Sequence, residues 1–178
     1  MSRPKANEYN SFFQGYITMV TGQSLEEIVN NHNQNILEYW DTIPNEKWSY
    51  SYAPNKWTVK QVLQHIIDTE RILAYRALCI VRGEKQKLNE FDEKKYADSG
   101  DAIFRNINDL ISEWKLLRES NNFMFKSFTE NDLNKAGVVG SKNLSVKAII
   151  YIVFGHVLHH MNIVNNKYLI SSKPYNIL

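Results

Sequence analysis

The sequence predicts an all-α protein, a four-helix bundle, and three observations carry that prediction. The chain of 178 residues holds 7 Gly and 4 Pro, too few breakers for a strand-rich fold with many turns. Four segments repeat apolar residues at i, i+3, i+4 and i+7, the spacing of one helix face. Each of the four also carries a start signal.

The first segment opens at Ser24, with Glu27 three residues on. That is capping-box spacing, in which each side chain satisfies the other's free backbone N–H. Its stripe is Leu25, Ile28, Val29, His32, Ile36 and Trp40, and Pro44 stops it. The second opens at Thr58 with Gln61 as box partner and runs to Gly83. Its stripe is Val62, His65, Ile66, Thr69, Ile72, Leu73 and Arg76. The third spans about Asp101 to Phe128, with Ile103, Ile107, Leu110, Ile111, Trp114, Leu117 and Phe125 on one face. The fourth runs from near Ser145 to about Leu169, with Ile149, Ile152, Val153, His156, His160, Ile163 and Val164 facing inward.

Long connections separate these helices. Residues 42–57 contain Trp48, Pro54 and Trp57, and residues 84–100 form a charged link with Phe91 and Tyr96 in it. Residues 129–144 contain the flexible pair Gly137 and Gly140 after a short helix begun at Thr129. Loops of this length in a small bundle are often lids over a site, and often only connectors.

Hydrophobic residues make up 43% and aromatics 12%, enough for one packed core and too many for disorder. The expectation is a single domain over 1–178, with residues 1–23, which include YITMV, as an arm against the bundle. Net charge is +2, from 21 basic and 19 acidic residues, so no nucleic-acid partner is expected. One cysteine, Cys79, excludes an internal disulfide and a Cys-rich zinc module. The first residues, MSRPKANEYN, lack a signal peptide's apolar core. The longest uncharged apolar run, AIIYIVFG at 148–155, is far below the ~20 residues of a membrane span. A cytoplasmic protein with no membrane partner is expected.

The chemistry lies in the histidines. Three of the five fall within FGHVLHHMN. His156 and His160 are four apart, about 40° of helical rotation and roughly 6 Å of rise, so both rings can reach one metal ion. A His156–His159 pair is also allowed by spacing. The apolar stripe favours His160, because His159 falls at the edge of that face. HxxxH alone is a weak signal, equally read as two satisfied histidines. His65 alters the balance, since it too lies on a core stripe, where a polar ring needs a partner. Bundle cores build metal sites from facing helices in this way.

Other candidates are weaker. Cys79 is 14 residues past His65 on the same helix, about 21 Å away, and reads as a small core residue. His32 reads as a hydrogen-bonded core histidine ahead of a further ligand. Asp68 reads as a surface charge ahead of a carboxylate orienting a ligand. Arg76 on an inner stripe reads as a buried ion-pair partner or as marking the bundle's far end. Trp40, Trp48, Trp57 and Trp114 read as core and loop anchors.

At these residues the chain resembles the DinB/YfiT-like superfamily over nearly its whole length. KWTVKQVLQHIIDTERILAYRAL resembles the opening of the family's second helix, with its first histidine ligand. FGHVLHHMNIVNNKYL resembles the fourth helix, with paired ligands at its first and last histidine. YITMV and NEFDEKKYA also match the family's pattern. The resemblance implies an antiparallel four-helix bundle with long crossover connections. It implies a site for a divalent metal, zinc or nickel, held by His65, His156 and His160. It also implies activity as a metal-dependent hydrolase or as a thiol-dependent S-transferase using a low-molecular-weight thiol, and admits a homodimer.

Three neutral imidazoles leave the ion's charge uncompensated and a coordination position open, the pattern of catalytic rather than structural zinc. Such an ion can lower the pKa of a bound water to about 7 or bind a substrate thiol as thiolate. The small Thr69, one turn past His65, would leave room beside it. The other class of function is a non-catalytic, metal-stabilised bundle that binds a ligand or partner, with His32 or Asp68 closing the metal's fourth position. With an unperturbed imidazole pKa near 6.5, metal binding is expected to fade below about pH 6.

Overall fold

The computed structural model describes residues 2–169. Its main helices are α2 (Leu25–Glu38), α3 (Val59–Val81), α5 (Ile107–Lys126) and α7 (Val146–Ile163). The short helices α1 (Gln14–Met19), α4 (Glu93–Ser99) and α6 (Glu130–Leu133) lie in the arm and the connections. Two strands, β1 (Ala136–Val139) and β2 (Lys142–Ser145), pair in front of α7, and short 3-10 turns and a π-helical turn at Val164–Tyr168 make up the other elements of the described residues. The four-helix bundle expected from the sequence is present.

The predicted start signals act at the atomic level. Thr58 and Gln61 form the full box: Gln61 N–H donates to Thr58 Oγ1 at 3.3 Å and Thr58 N–H to Gln61 Oε1 at 2.9 Å. At α2 only half of the box closes. Ser24 accepts from Glu27 N–H at 3.1 Å, while the Glu27 carboxylate takes the N–H of Gln23. Ser145 caps α7.

Packing pairs α3 with α7 and with α5, and α2 with α5 and with α7. The chain neighbours α2 and α3 therefore lie diagonally across the bundle. Cross-helix contacts give the directions. Gln64 meets Arg105 and Glu70 meets Arg118, so α3 and α5 run the same way. His65 near the start of α3 meets His156 late in α7, so that pair is antiparallel. Asn33 meets Asn122, and Asp41 meets Lys115, making α2 and α5 antiparallel as well. A link joining two parallel helices must travel back along the bundle, which explains the long crossover over 82–106.

Helix α7 is the central element. Its stretch Val146–Tyr168 is long and apolar enough to cross a membrane by length and composition, yet 72% of its most apolar window is buried inside the bundle. A helix apolar on every side is a core helix when neighbours cover every side. Here α1, α2 and α3 do so. The arm reaches α7 closely because Gly155 has no side chain. A Cβ there would lie 2.1 Å from the carbonyl oxygen of Tyr16. Ile17 and Val20, from YITMV, are buried as the sequence suggested.

Several expectations are corrected. Helix α5 starts at Ile107, behind an Asn106 cap and a 3-10 turn at Ala102–Phe104, so Ile103 is exposed and off the stripe. Its buried face includes Arg118, Asn121 and Asn122, which the apolar pattern left out. The short helix expected at Thr129 is α6, and the flexible loop expected after it is instead an ordered hairpin, with Ala136 opposite Ser145 and Val139 opposite Lys142. Gly140 takes φ +59° in its turn. Gly137 is small because a Cβ would meet Ile80 Cγ1 at 2.7 Å. The charged link is pinned to β1 by Leu88 N–H donating to Val138 O at 2.9 Å, and it contains α4. Cys79 is half-buried rather than core.

Candidate metal centre

The core stripes of α3 and α7 face each other, and that alignment brings three imidazoles to one point. His65 Nε2 lies 3.0 Å from His156 Nε2, and His160 Nε2 lies 3.1 Å from the same atom. All three ligand nitrogens fall within 4.8 Å of one another. The residues are 3%, 4% and 9% exposed. Tetrahedral nitrogens around an ion at 2.0–2.1 Å would be about 3.3 Å apart, so the two separations from His156 are within a few tenths of an ångström of a zinc-like spacing. Three buried nitrogens that can bond only to each other also leave donors and acceptors mismatched, which a shared cation resolves.

Burial sets their protonation. It holds His65 at about 4 and, helped by the neighbouring histidines, His160 at about 3. His156 is also pushed well below its ordinary value, by burial first and then by His160 and His65. All three are therefore neutral at pH 7, with lone pairs free for a metal.

His160, and not His159, joins the convergent group. His159 is half-buried and stands outside the convergent group, its ring 5.1 Å from that of Tyr16. His32 is half-buried too, and its Nε2 accepts the backbone N–H of Thr21 at 2.9 Å. It is hydrogen-bonded as expected, but not a core residue. Asp68 is half-buried rather than a free surface charge. It accepts from Gln64 Nε2 at 2.8 Å, and burial raises its carboxyl above the usual range. Thr69 is buried with its hydroxyl unpaired.

Two aromatic neighbours were missed as parts of the site. The Trp57 ring lies 4.9 Å from His65, and the Tyr16 ring lies 5.6 Å from His156. Burial first, then Glu93, raise the Tyr16 hydroxyl above its ordinary value. Trp57 was read only as a loop anchor, and Tyr16 sits in the arm. Trp57 precedes His65 by only eight positions, so its closeness in the chain was the available signal, whereas nothing in local sequence ties Tyr16 to His156, 140 positions away on α7. The other three tryptophans are core residues.

Of the two readings of Arg76, the close ion pair is not met: the residue is 6% exposed, and Glu90 and Glu93 act on it from beyond 4.0 Å, with no carboxylate nearer among the described residues. It donates to Asn89 O at 2.6 Å and lies over the Phe91 ring. The buried ion pair belongs to Arg118 instead.

Residues 29–164 match the family model of the DinB superfamily, and the chain belongs to that superfamily. In structure it is similar to YfiT from Bacillus subtilis, described as a probable metal-dependent hydrolase with an unusual four-helix bundle topology. The TM-score is 0.68 and the identity 15%, covering 92% of this chain and 89% of that one. It is also similar to the DinB-like protein YjoA from Bacillus subtilis, with TM-score 0.52 and 14% identity, covering 89% of this chain and 90% of that one. Among curated proteins no sequence matches this chain.

Proposed function

We propose that this DinB-superfamily bundle is a metalloenzyme acting on a small molecule, with His65, His156 and His160 holding a divalent ion of the zinc or nickel kind. The observation that carries the proposal is the donor set. Three buried neutral imidazoles converge, and among the described residues no fourth His, Cys, Asp or Glu joins them. Structural zinc is normally closed by four protein ligands, whereas a three-ligand set leaves a position for substrate. The two side chains that could have closed it, His32 and Asp68, are engaged elsewhere, so the geometry gives no support to a purely structural metal.

A bound ion would supply Lewis acidity, lowering the pKa of a water or thiol beside it. The protein's part is to keep the three imidazoles neutral by burial and to fix their rings. Trp57 against His65 and Tyr16 against His156 restrict water at the centre, which strengthens electrostatic effects inside it. Hydrolysis is the reading that the description of YfiT supports. Thiol transfer is the second reading, and one observation favours it. Among the described residues no carboxylate pairs with the three imidazoles, and a thiol, with a free pKa of about 8.5 against about 15.7 for water, ionises beside an ion with less help from a base.

The test compares metal-loaded, chelator-treated and His160→Ala protein on a panel of small esters and amides, and on small electrophiles with several low-molecular-weight thiols. We expect turnover only in the loaded wild-type protein. Activity equal in loaded and chelated samples would remove the metal from the account.

A further inference from the structure

We propose that the cleft around Arg76 is a recognition site for a carboxylate carried on an apolar, ring-bearing small molecule. The cleft has a volume of about 250 Å³, and its walls include Arg76, Phe12, Phe13, Phe91 and Leu144. Its lining includes the buried guanidinium described above, which among the described residues has one hydrogen bond, to Asn89 O, and no ion pair within 4.0 Å. Glu90 and Glu93 act on it electrostatically without reaching ion-pair distance, so its remaining N–H groups stay open to a carboxylate, which a planar guanidinium matches through two parallel N–H···O bonds. Lys142 adds a second positive charge at the wall, and Glu90 and Glu93 lie at the rim. Those two carboxylates disfavour a dianion such as phosphate and tolerate a monoanion. The three phenylalanine rings suit an apolar body beside the charge.

Phe13, in the cleft wall, packs 6.3 Å from the Tyr16 ring, and Tyr16 packs 5.6 Å from His156, so these rings separate the cleft from the candidate metal centre. The binding site does not rest on the metalloenzyme reading.

The experiment is an amide-resolved NMR titration of metal-free protein with phenylacetate, its neutral match phenylacetamide, and phenyl phosphate. Phenylacetate should bind with shifts centred on Arg76, Phe91 and Leu144, and phenylacetamide should bind about tenfold more weakly or worse. Phenyl phosphate should bind no tighter than phenylacetate. Arg76→Gln, checked for fold by circular dichroism, should reduce phenylacetate to the level of the amide. If that variant does not fold, the wild-type shift map and the carboxylate-to-amide ratio decide alone. Equal binding of carboxylate and amide, preference for the phosphate, or shifts centred away from Arg76, Phe91 and Leu144 would overturn the proposal. Because the titration uses metal-free protein, a failed cleft and a failed metal centre give different results.

Discussion

Glu70→Ala should destabilise the bundle by about 3–5 kcal/mol, the usual cost of removing one partner from a buried ion pair. Arg118 is 0% exposed and Glu70 2% exposed. Arg118 Nη1 donates to Glu70 Oε2 at 2.8 Å, and Asn121 Nδ2 donates to Glu70 Oε1 at 3.1 Å. The guanidinium also lies 3.9 Å from the Phe154 ring centroid, which attracts the cation but cannot replace a carboxylate. In a domain of this size the loss corresponds to a fall in melting temperature on the order of 10 °C. The double change Glu70→Met with Arg118→Met should recover much of it, because the cost comes from the stranded charge rather than from the lost pair. Chemical denaturation of the three proteins measures this. A Glu70→Ala protein within about 1 kcal/mol of wild type would show that water reaches the pair.

Adding Zn²⁺ at 100 times its dissociation constant should stabilise the protein by about 2.7 kcal/mol, raising its melting temperature by several degrees. His65 belongs to α3 and the other two ligands to α7, so the ion cross-links the two helices. The free-imidazole pKa placed the loss of this effect below about pH 6. The buried site moves it lower. His65 is held at about 4 and His160 at about 3, so in the folded protein both stay neutral through pH 5.5. The metal-induced increment should be nearly the same at pH 7.5 and pH 5.5 and disappear toward pH 4. The metal-free protein behaves differently. Its histidine pKa values are depressed on folding, so the unfolded chain takes up protons first. Stability is then complete above about 6.5 and is lost as pH falls toward the folded values. Melting curves with Zn²⁺ and with chelator, at pH 7.5, 5.5 and 4.5, test both trends. An increment that halves between pH 7.5 and 5.5 would mean exposed imidazoles. One that survives His65→Ala with His160→Ala would place the metal elsewhere.

The helices and the histidine cluster were legible because both follow from a 3.6-residue period. Stripes on α3 and α7 must face a common core, so His65, His156 and His160 on those stripes must meet. The edge position of His159 on α7 was enough to set it aside. The polar core was not legible, because Arg118 and Glu70 are tolerated inside only through each other, across 48 positions of chain. A stripe rule treats each as a surface charge. The hairpin was hidden for a related reason. Gly137 and Gly140 looked flexible, yet one accommodates Ile80 and the other makes the turn. Arg76 was legible as buried, but only the fold shows that Glu90 and Glu93 stay beyond ion-pair distance of it.

Direct measurement of metal binding tests the central claim. Protein purified without a metal-affinity tag is stripped with chelator and titrated with Zn²⁺ and Ni²⁺, and bound metal is determined by elemental analysis. The account predicts about one ion per chain at micromolar or lower concentration, an affinity lowered about 100-fold or more by His156→Ala, and little change with His159→Ala. A chain that takes up neither metal at micromolar levels, or that loses binding with His159→Ala and keeps it with His156→Ala, would contradict it.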